Sequence, residues 1–189
     1  MTSPPIVLQV LLAAIALVAA VSDVRFRRIP NWLTLSGVIV GIVLNAFLNS
    51  SGERWFDGYN WRSSLAGFGL ASLIYFPLYL LRAMGAGDVK LMAAVGAIIG
   101  PVNWFSVFVL GNIFGGLAAI FLLLTHGGGR RTLFNVFYML NELIHFRPPY
   151  MRREELDVKS AKAVTLPHGL AIAVGCGAFL LASAIWSPK

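Results

Sequence analysis

Residues 6–21 read IVLQVLLAAIALVAAV, an apolar stretch without a single charged side chain. A helix that crosses the hydrocarbon core of a bilayer takes about 17 to 25 residues, so this stretch is close to spanning length. The whole chain has the same character: of its 189 residues, 58% are hydrophobic and 12% are charged, and the mean hydropathy is +0.76. Such a composition is too apolar for a hydrated protein surface. We therefore predict a membrane protein.

Further apolar runs follow and predict an all-α fold, a polytopic bundle of about six transmembrane helices in one membrane-embedded domain over residues 1–189. The run from Val89 to Thr125 is too long for one crossing. Its Gly100-Pro101 pair predicts a break into a short helix and a longer one, because Gly and Pro end helices. The other predicted spans are Ile6–Val21, Leu33–Leu48, Ser64–Leu81 and Leu166–Trp186.

The charge distribution predicts the topology of these spans. Lys and Arg outnumber Asp and Glu by 15 to 8, and they fall mainly in short segments between apolar runs. The positive-inside rule places the Asp23–Asn31 segment in the cytoplasm and both termini outside. Residues 126–165 are then a basic cytoplasmic loop, with an amphipathic interfacial helix over Leu133–Phe146. Because topology accounts for the charge, we expect membrane lipid and no nucleic acid as a partner.

Two aspartates stand at span ends on the same predicted side of the membrane. Asp23 ends the first span and Asp88 precedes the fourth. Two carboxyl groups that meet can hold a water, one ionised to accept its proton and one protonated to polarise a scissile carbonyl. The pair therefore predicts an aspartyl protease site at the membrane edge. The structural alternatives are an ion pair of Asp23 with Arg25 or Arg27, and an N-cap role for Asp88.

Three residues around Asp88 are predicted to support it. Gly85 and Gly87 permit backbone conformations and close approaches that a helix interior excludes, so we expect Asp88 to project from non-helical backbone. Lys90 could orient or tune Asp88, although a lysine at a helix end more often extends to the lipid headgroups.

The sequence does not predict a metal or another cofactor. His126, His145 and His168 are dispersed and lack the spacing of a metal-binding motif. The one cysteine, Cys176, cannot form a cysteine-based zinc site within the chain.

Two motifs resemble those of a known family. The run Asp23-Val-Arg-Phe-Arg-Arg-Ile-Pro-Asn31 resembles the first aspartate motif of the type IV prepilin peptidases. The run GAGDVKLMAAVGAIIG over residues 85–100 resembles their second, the GxGD motif that they share in outline with presenilin-like intramembrane proteases. Farther along, Pro167-His168-Gly169 loosely resembles a Pro-aromatic-Gly element of the last span, with His168 where the family usually has an aromatic residue.

The resemblance implies an aspartic endopeptidase that removes a short, positively charged leader after a glycine. Its substrates would be prepilins or pilin-like precursors, cut at the cytoplasmic face of the bacterial inner membrane, and Asp23 and Asp88 match the catalytic pair. Larger members carry an insert with two CxxC pairs and also methylate the new N-terminus with S-adenosylmethionine. This sequence shows no such insert and resembles the short form associated with Flp or tight-adherence pili.

Two other function classes are open from the residues alone. A proton-coupled transporter also uses membrane aspartates, although usually near the bilayer midplane and in repeat-related halves. A non-enzymatic scaffold of a pilus or secretion machine could use the same bundle, but it would not need paired aspartates.

Overall fold

A computed structural model of the chain describes residues 3–48, 58–80, 84–126, 137 and 168–186. All regular secondary structure in these residues is helical and forms five elements. They are α1 (Ile6–Phe26), α2 (Asn31–Leu48), α3 (Trp61–Leu80), α4 (Ala86–His126) and α5 (His168–Trp186). Each is long and apolar enough to cross a membrane, which confirms the predicted all-α membrane bundle. The predicted interfacial helix Leu133–Phe146 lies, except for Phe137, outside the described residues, as does nearly all of the predicted loop 126–165.

Helix α4 reverses direction at the predicted break. Gly100 has φ 73° and ψ 175°, a conformation that side chains with a Cβ rarely adopt, and Pro101 follows it. In a straight helix Met92 and Trp104 would be about 18 Å apart. Instead the indole N–H of Trp104 donates a hydrogen bond of 3.1 Å to the carbonyl of Met92. The second half of α4 therefore packs back along the first, so the five elements form six helical segments.

The first half of α4 is the centre of the bundle, since residues 91–100 are all buried. Its small residues allow α3 to approach at backbone distance. An ideal Cβ built on Gly67 would overlap the carbonyl oxygen of Gly96, and it would stand 2.8 Å from the carbonyl carbon of Gly100. Close approach of this kind is the usual way in which small residues join membrane helices.

Two buried side chains satisfy the carbonyl groups that the break at Gly100 leaves open. The amide nitrogen of Asn45 in α2 donates to the carbonyls of Ala97 (3.3 Å) and Ile98 (3.0 Å). The hydroxyl of Ser64 in α3 also donates to the Ala97 carbonyl. Unpaired carbonyls at a buried helix end are costly, so these contacts stabilise the reversal and tie α2 and α3 to it.

The outer face of the bundle is apolar. Phe47, Leu73 and Phe121 are 85%, 72% and 66% exposed, and many other aliphatic and aromatic side chains also point outward. Soluble proteins rarely expose an apolar surface of this extent, whereas such a surface suits contact with lipid chains.

Candidate active site

The two predicted aspartates lie at the same end of the bundle. Helix α1 ends at Phe26, and Asp23 occupies its last turn as a side chain only 8% exposed. Asp88 occupies the first turn of α4 and is half-buried. The two carboxyl groups are close enough to interact electrostatically, although 64 residues separate them along the chain.

The N-terminus of α5 holds the carboxylate of Asp23. The backbone N–H of Gly169 donates a hydrogen bond of 2.8 Å to Oδ2 of Asp23. A side chain at position 169 would fit only tightly, because an ideal Cβ would stand 3.0 Å from that oxygen and 3.2 Å from Cγ. The partial positive charge of a helix N-terminus favours an ionised carboxylate there. The sequence singled out Pro167-His168-Gly169 by its resemblance to a family motif, but it did not predict the contact of Gly169 with Asp23.

Asp88 is part of a helix, contrary to the prediction that it projects from non-helical backbone. Helix α4 begins at Ala86, so Gly87 and Asp88 are both helical, and the carboxylate of Asp88 reaches back to the backbone of Gly85. An acidic side chain three residues after the N-cap residue, here Gly85, satisfies a free N–H in this way. Asp88 thus stabilises the start of α4 while its carboxyl group remains close to Asp23.

The predicted glycines have different surroundings. An ideal Cβ on Gly87 would stand 3.2 Å from Cβ of Ile29, which is a close approach to the segment between α1 and α2. At Gly85 the nearest atom to such a Cβ is Oδ2 of Asp88, at 3.3 Å. A side chain at Gly85 would thus push on the Asp88 carboxylate, and one at Gly87 would push on Ile29.

Lys90 contacts another part of the bundle. It follows Asp88 by two residues, so its side chain leaves the helix about 200° away from that of Asp88. Its ammonium group donates a hydrogen bond of 2.9 Å to Oδ1 of Asn31, at the start of α2. Lys90 therefore links α4 to α2, on the face opposite the aspartates.

Two polar side chains that the sequence did not assign to the site lie near Asp88, and a third contacts one of them. His168 and Tyr75 both lie within electrostatic range of its carboxyl group. The Tyr75 hydroxyl forms a hydrogen bond with the side chain of Asn112, which joins α3 to the second half of α4. The ring of Tyr75 packs edge-on against Trp104 and Phe108, with centroids 6.2 and 5.9 Å apart. The only sequence signal that Tyr75 belongs to the site was the presence of a tyrosine within an otherwise apolar run.

A small cavity adjoins these groups. Its volume is about 70 Å³, and Tyr75, Asn112 and His168 contribute polar atoms to its wall beside the glycines of the second half of α4. A cavity of this size with polar groups in its wall has room for water. The site thus contains two carboxyl groups within electrostatic range of each other and further polar side chains, with a small cavity beside Tyr75 and His168.

The described residues do not form a metal site: no three His, Cys, Asp or Glu side chains are grouped closely enough to hold an ion.

Comparison with known proteins gives the family. The model of the type IV leader peptidase family matches residues 10–120, which include both aspartates. The chain is 26% identical over 92 residues to the preflagellin peptidase of Methanococcus voltae, covering 49% of this chain and 37% of that protein. It is 31% identical over 87 residues to the preflagellin peptidase of Methanocaldococcus jannaschii, covering 46% of this chain and 36% of that protein. The matched region thus spans little more than a third of these relatives.

No solved structure matches the chain. The family model nevertheless covers more than half of the residues, and the pair of motifs that it includes is the pair whose aspartates meet at one end of the bundle. The chain belongs to the type IV leader peptidase family.

Proposed function

We propose that this protein is an aspartic endopeptidase that removes the leader from prepilin-like or preflagellin-like precursors, with Asp23 and Asp88 as its catalytic pair. The observation that carries the proposal is that these two carboxyl groups, at the end of α1 and the start of α4, lie within electrostatic range of each other. Residues so far apart in sequence, on an otherwise apolar bundle, need a reason to converge, and hydrolysis supplies one.

The chemistry needs one proton shared between the two carboxyl groups. The ionised carboxylate takes a proton from water, whose oxygen forms a bond to the scissile carbonyl carbon. The protonated carboxyl donates to the carbonyl oxygen, and the C–N bond then breaks as the departing amine takes a proton from the pair. The hydrogen bond from Gly169 suits Asp23 to the ionised role at the start of the cycle, with Asp88 carrying the proton.

The proposed substrate follows from the family and from the position of the site. Two relatives are preflagellin peptidases, and the motifs resemble those of prepilin peptidases of the Flp type. Both aspartates lie at helix ends, where a leader outside the membrane can reach them while the following apolar segment remains in the bilayer. The arginines after Asp23 put this end on the cytoplasmic side by the positive-inside rule, which in a bacterium means the inner face of the inner membrane.

The test is co-expression with a tagged prepilin-like precursor, with leader removal read from gel mobility and from the N-terminus of the product. Asp23→Asn and Asp88→Asn should each abolish processing, because a carboxamide cannot exchange the proton. The double variant should be no worse than either single one, since the two groups act as a unit. Asp57→Asn, which removes a carboxylate elsewhere in the chain, is the matched control and should process normally.

The same experiment distinguishes the alternatives. If the protein were a non-enzymatic scaffold, neither substitution would change the extent of leader removal. A proton-coupled transporter would show no cleavage in purified form, and its aspartate variants would instead lose proton flux in vesicles. Purified protein that cuts a synthetic leader peptide in detergent, and loses that activity in both aspartate variants, would support the peptidase alone.

A further inference from the structure

A second, larger cavity lies on the face of the bundle opposite the aspartates. It has a volume of about 430 Å³ and runs as a groove between α2, α3 and the first half of α4. Most of its wall is apolar and includes Leu35, Val38 and Phe68. Ala93 forms the floor, and Ser72 lies on the α3 side. The proposed peptidase reaction does not use this groove.

One end of the groove is polar and positively charged. Lys90, Asn31 and Thr34 are all part of its wall, and all three lie within the first five residues of their helices. Lys90 donates its hydrogen bond to the neutral side-chain amide of Asn31. The Thr34 hydroxyl donates to the backbone carbonyl of Asn31 at 3.1 Å. Lys90 is exposed, and within the described part of the chain its charge faces no carboxylate partner.

The groove extends along the helices from its polar end. On α2 its wall runs from Asn31 to Val38, seven residues or about 10 Å. Half of the hydrocarbon core is about 15 Å thick. An acyl chain that starts at the level of Lys90 would therefore lie against this wall for most of its path through one leaflet.

We propose that this groove is a phospholipid site, in which Lys90 binds the phosphate of the headgroup and the apolar wall holds one acyl chain. The charge at the membrane boundary and the apolar wall below it match the two parts of this ligand. The bound lipid would fill the space between α2 and α3, two helices that pack mainly on α4 rather than on each other.

A transmembrane helix fits the groove less well. A helix about 30 Å long and about 10 Å wide occupies on the order of 2,000 Å³, several times the volume of the groove. A second copy of the chain or the apolar segment of a substrate could therefore only cover the groove, whereas an acyl chain fills it.

The test is native mass spectrometry of the full chain, delipidated in detergent and titrated with phosphatidylglycerol or with diacylglycerol of the same acyl chains. Wild type should bind one phosphatidylglycerol, and diacylglycerol about fivefold more weakly, because one lysine near the surface contributes about that factor toward an anionic headgroup. Lys90→Gln should lower phosphatidylglycerol affinity to the diacylglycerol level, and Lys90→Arg should restore it. Ser72→Phe, which fills the groove, should lower the affinity for both lipids at least tenfold.

The matched controls are Arg62→Gln, which removes an exposed charge at the other end of α3, and Leu73→Phe, which adds volume on the exposed face of the same helix. Both should bind lipid as wild type does. Equal affinity of wild type for the two lipids, or wild-type binding by Lys90→Gln, would overturn phosphate recognition without depending on how well Ser72→Phe folds. A dimer or a substrate segment that displaces the lipid would assign the groove to that occupant instead.

Discussion

The backbone N–H of Gly169, at the start of the last helix, donates a hydrogen bond of 2.8 Å to the carboxylate of Asp23, at the end of the first. The contact joins residues 146 positions apart, and a Cβ at position 169 would press against the Asp23 side chain. It makes the N-terminus of α5 a positioning element for one member of the proposed catalytic pair.

Gly169→Ala should therefore lower kcat by about tenfold with little change in KM, because the Asp23 carboxylate would have to shift by a few tenths of an ångström and a misplacement of about 1 Å costs about 100-fold. Leader cleavage by purified protein at several substrate concentrations measures the two constants. Gly177→Ala, on the same helix but with open space around its Cβ, is the control and should keep wild-type kinetics. A variant at position 169 with unchanged kcat would remove α5 from the site.

Tyr75→Phe should lower kcat by about tenfold, since it deletes a hydroxyl near the Asp88 carboxyl group and its hydrogen bond with Asn112. The ring contacts with Trp104 and Phe108 remain, so the thermal unfolding midpoint should change little. Tyr79→Phe removes a hydroxyl one turn farther along α3 and should be neutral in the same assay. Equal losses in both variants would indicate a general effect on α3.

Gly67→Ala should destabilise the bundle by about 3 kcal/mol, because the new methyl group would meet the backbone of Gly96 and Gly100 rather than a movable side chain. Gly69→Ala has nothing within 4 Å and should be neutral or slightly stabilising through its better helix propensity. Thermal unfolding of both variants in the same detergent compares them. Similar midpoints would contradict the close approach of α3 and α4.

Asn45→Leu should cost about 2 kcal/mol of stability, since it leaves the carbonyls of Ala97 and Ile98 with fewer donors in a buried place. Ser36→Ala, which removes only a local hydrogen bond to Leu33 on the exposed side of the same helix, should be close to neutral. Thermal unfolding of both variants in the same detergent checks this prediction. The midpoint of Asn45→Leu should be clearly below that of Ser36→Ala, and equal midpoints would contradict it.

Single-cysteine labelling should reveal the sidedness of the bundle. In intact cells a membrane-impermeant maleimide should label Trp61→Cys but not Phe26→Cys, since these exposed residues lie at opposite ends of the bundle and the Phe26 end is the proposed cytoplasmic one. Permeabilised cells should label both. The native Cys176 is fully buried and should stay unlabelled, so no cysteine-free background is needed. Labelling with the two positions reversed would place the site on the outside.

Features that depend on neighbouring residues could be predicted well from the sequence. The apolar runs predicted helices that begin and end within a few residues of α1, α2, α3 and α5. The Gly100-Pro101 pair predicted the reversal inside α4, because both residues act on their own backbone. The local prediction that failed concerns Asp88: the glycines beside it were expected to interrupt the helix, but Gly85 precedes α4 and Gly87 allows contact with Ile29.

By itself the sequence determined that the protein is a bundle of apolar helices with an aspartate at the end of the first and at the start of the fourth. Only the tertiary structure decided which groups meet them: the N–H of Gly169 on Asp23, Tyr75 and His168 near Asp88, and Lys90 turned away to Asn31. The physical reason is the distance along the chain over which each effect acts. Hydropathy and backbone preferences act within a helix, whereas the partners of a polar group depend on how helices pack, and among apolar surfaces small residues such as Gly67 and Gly96 control that packing.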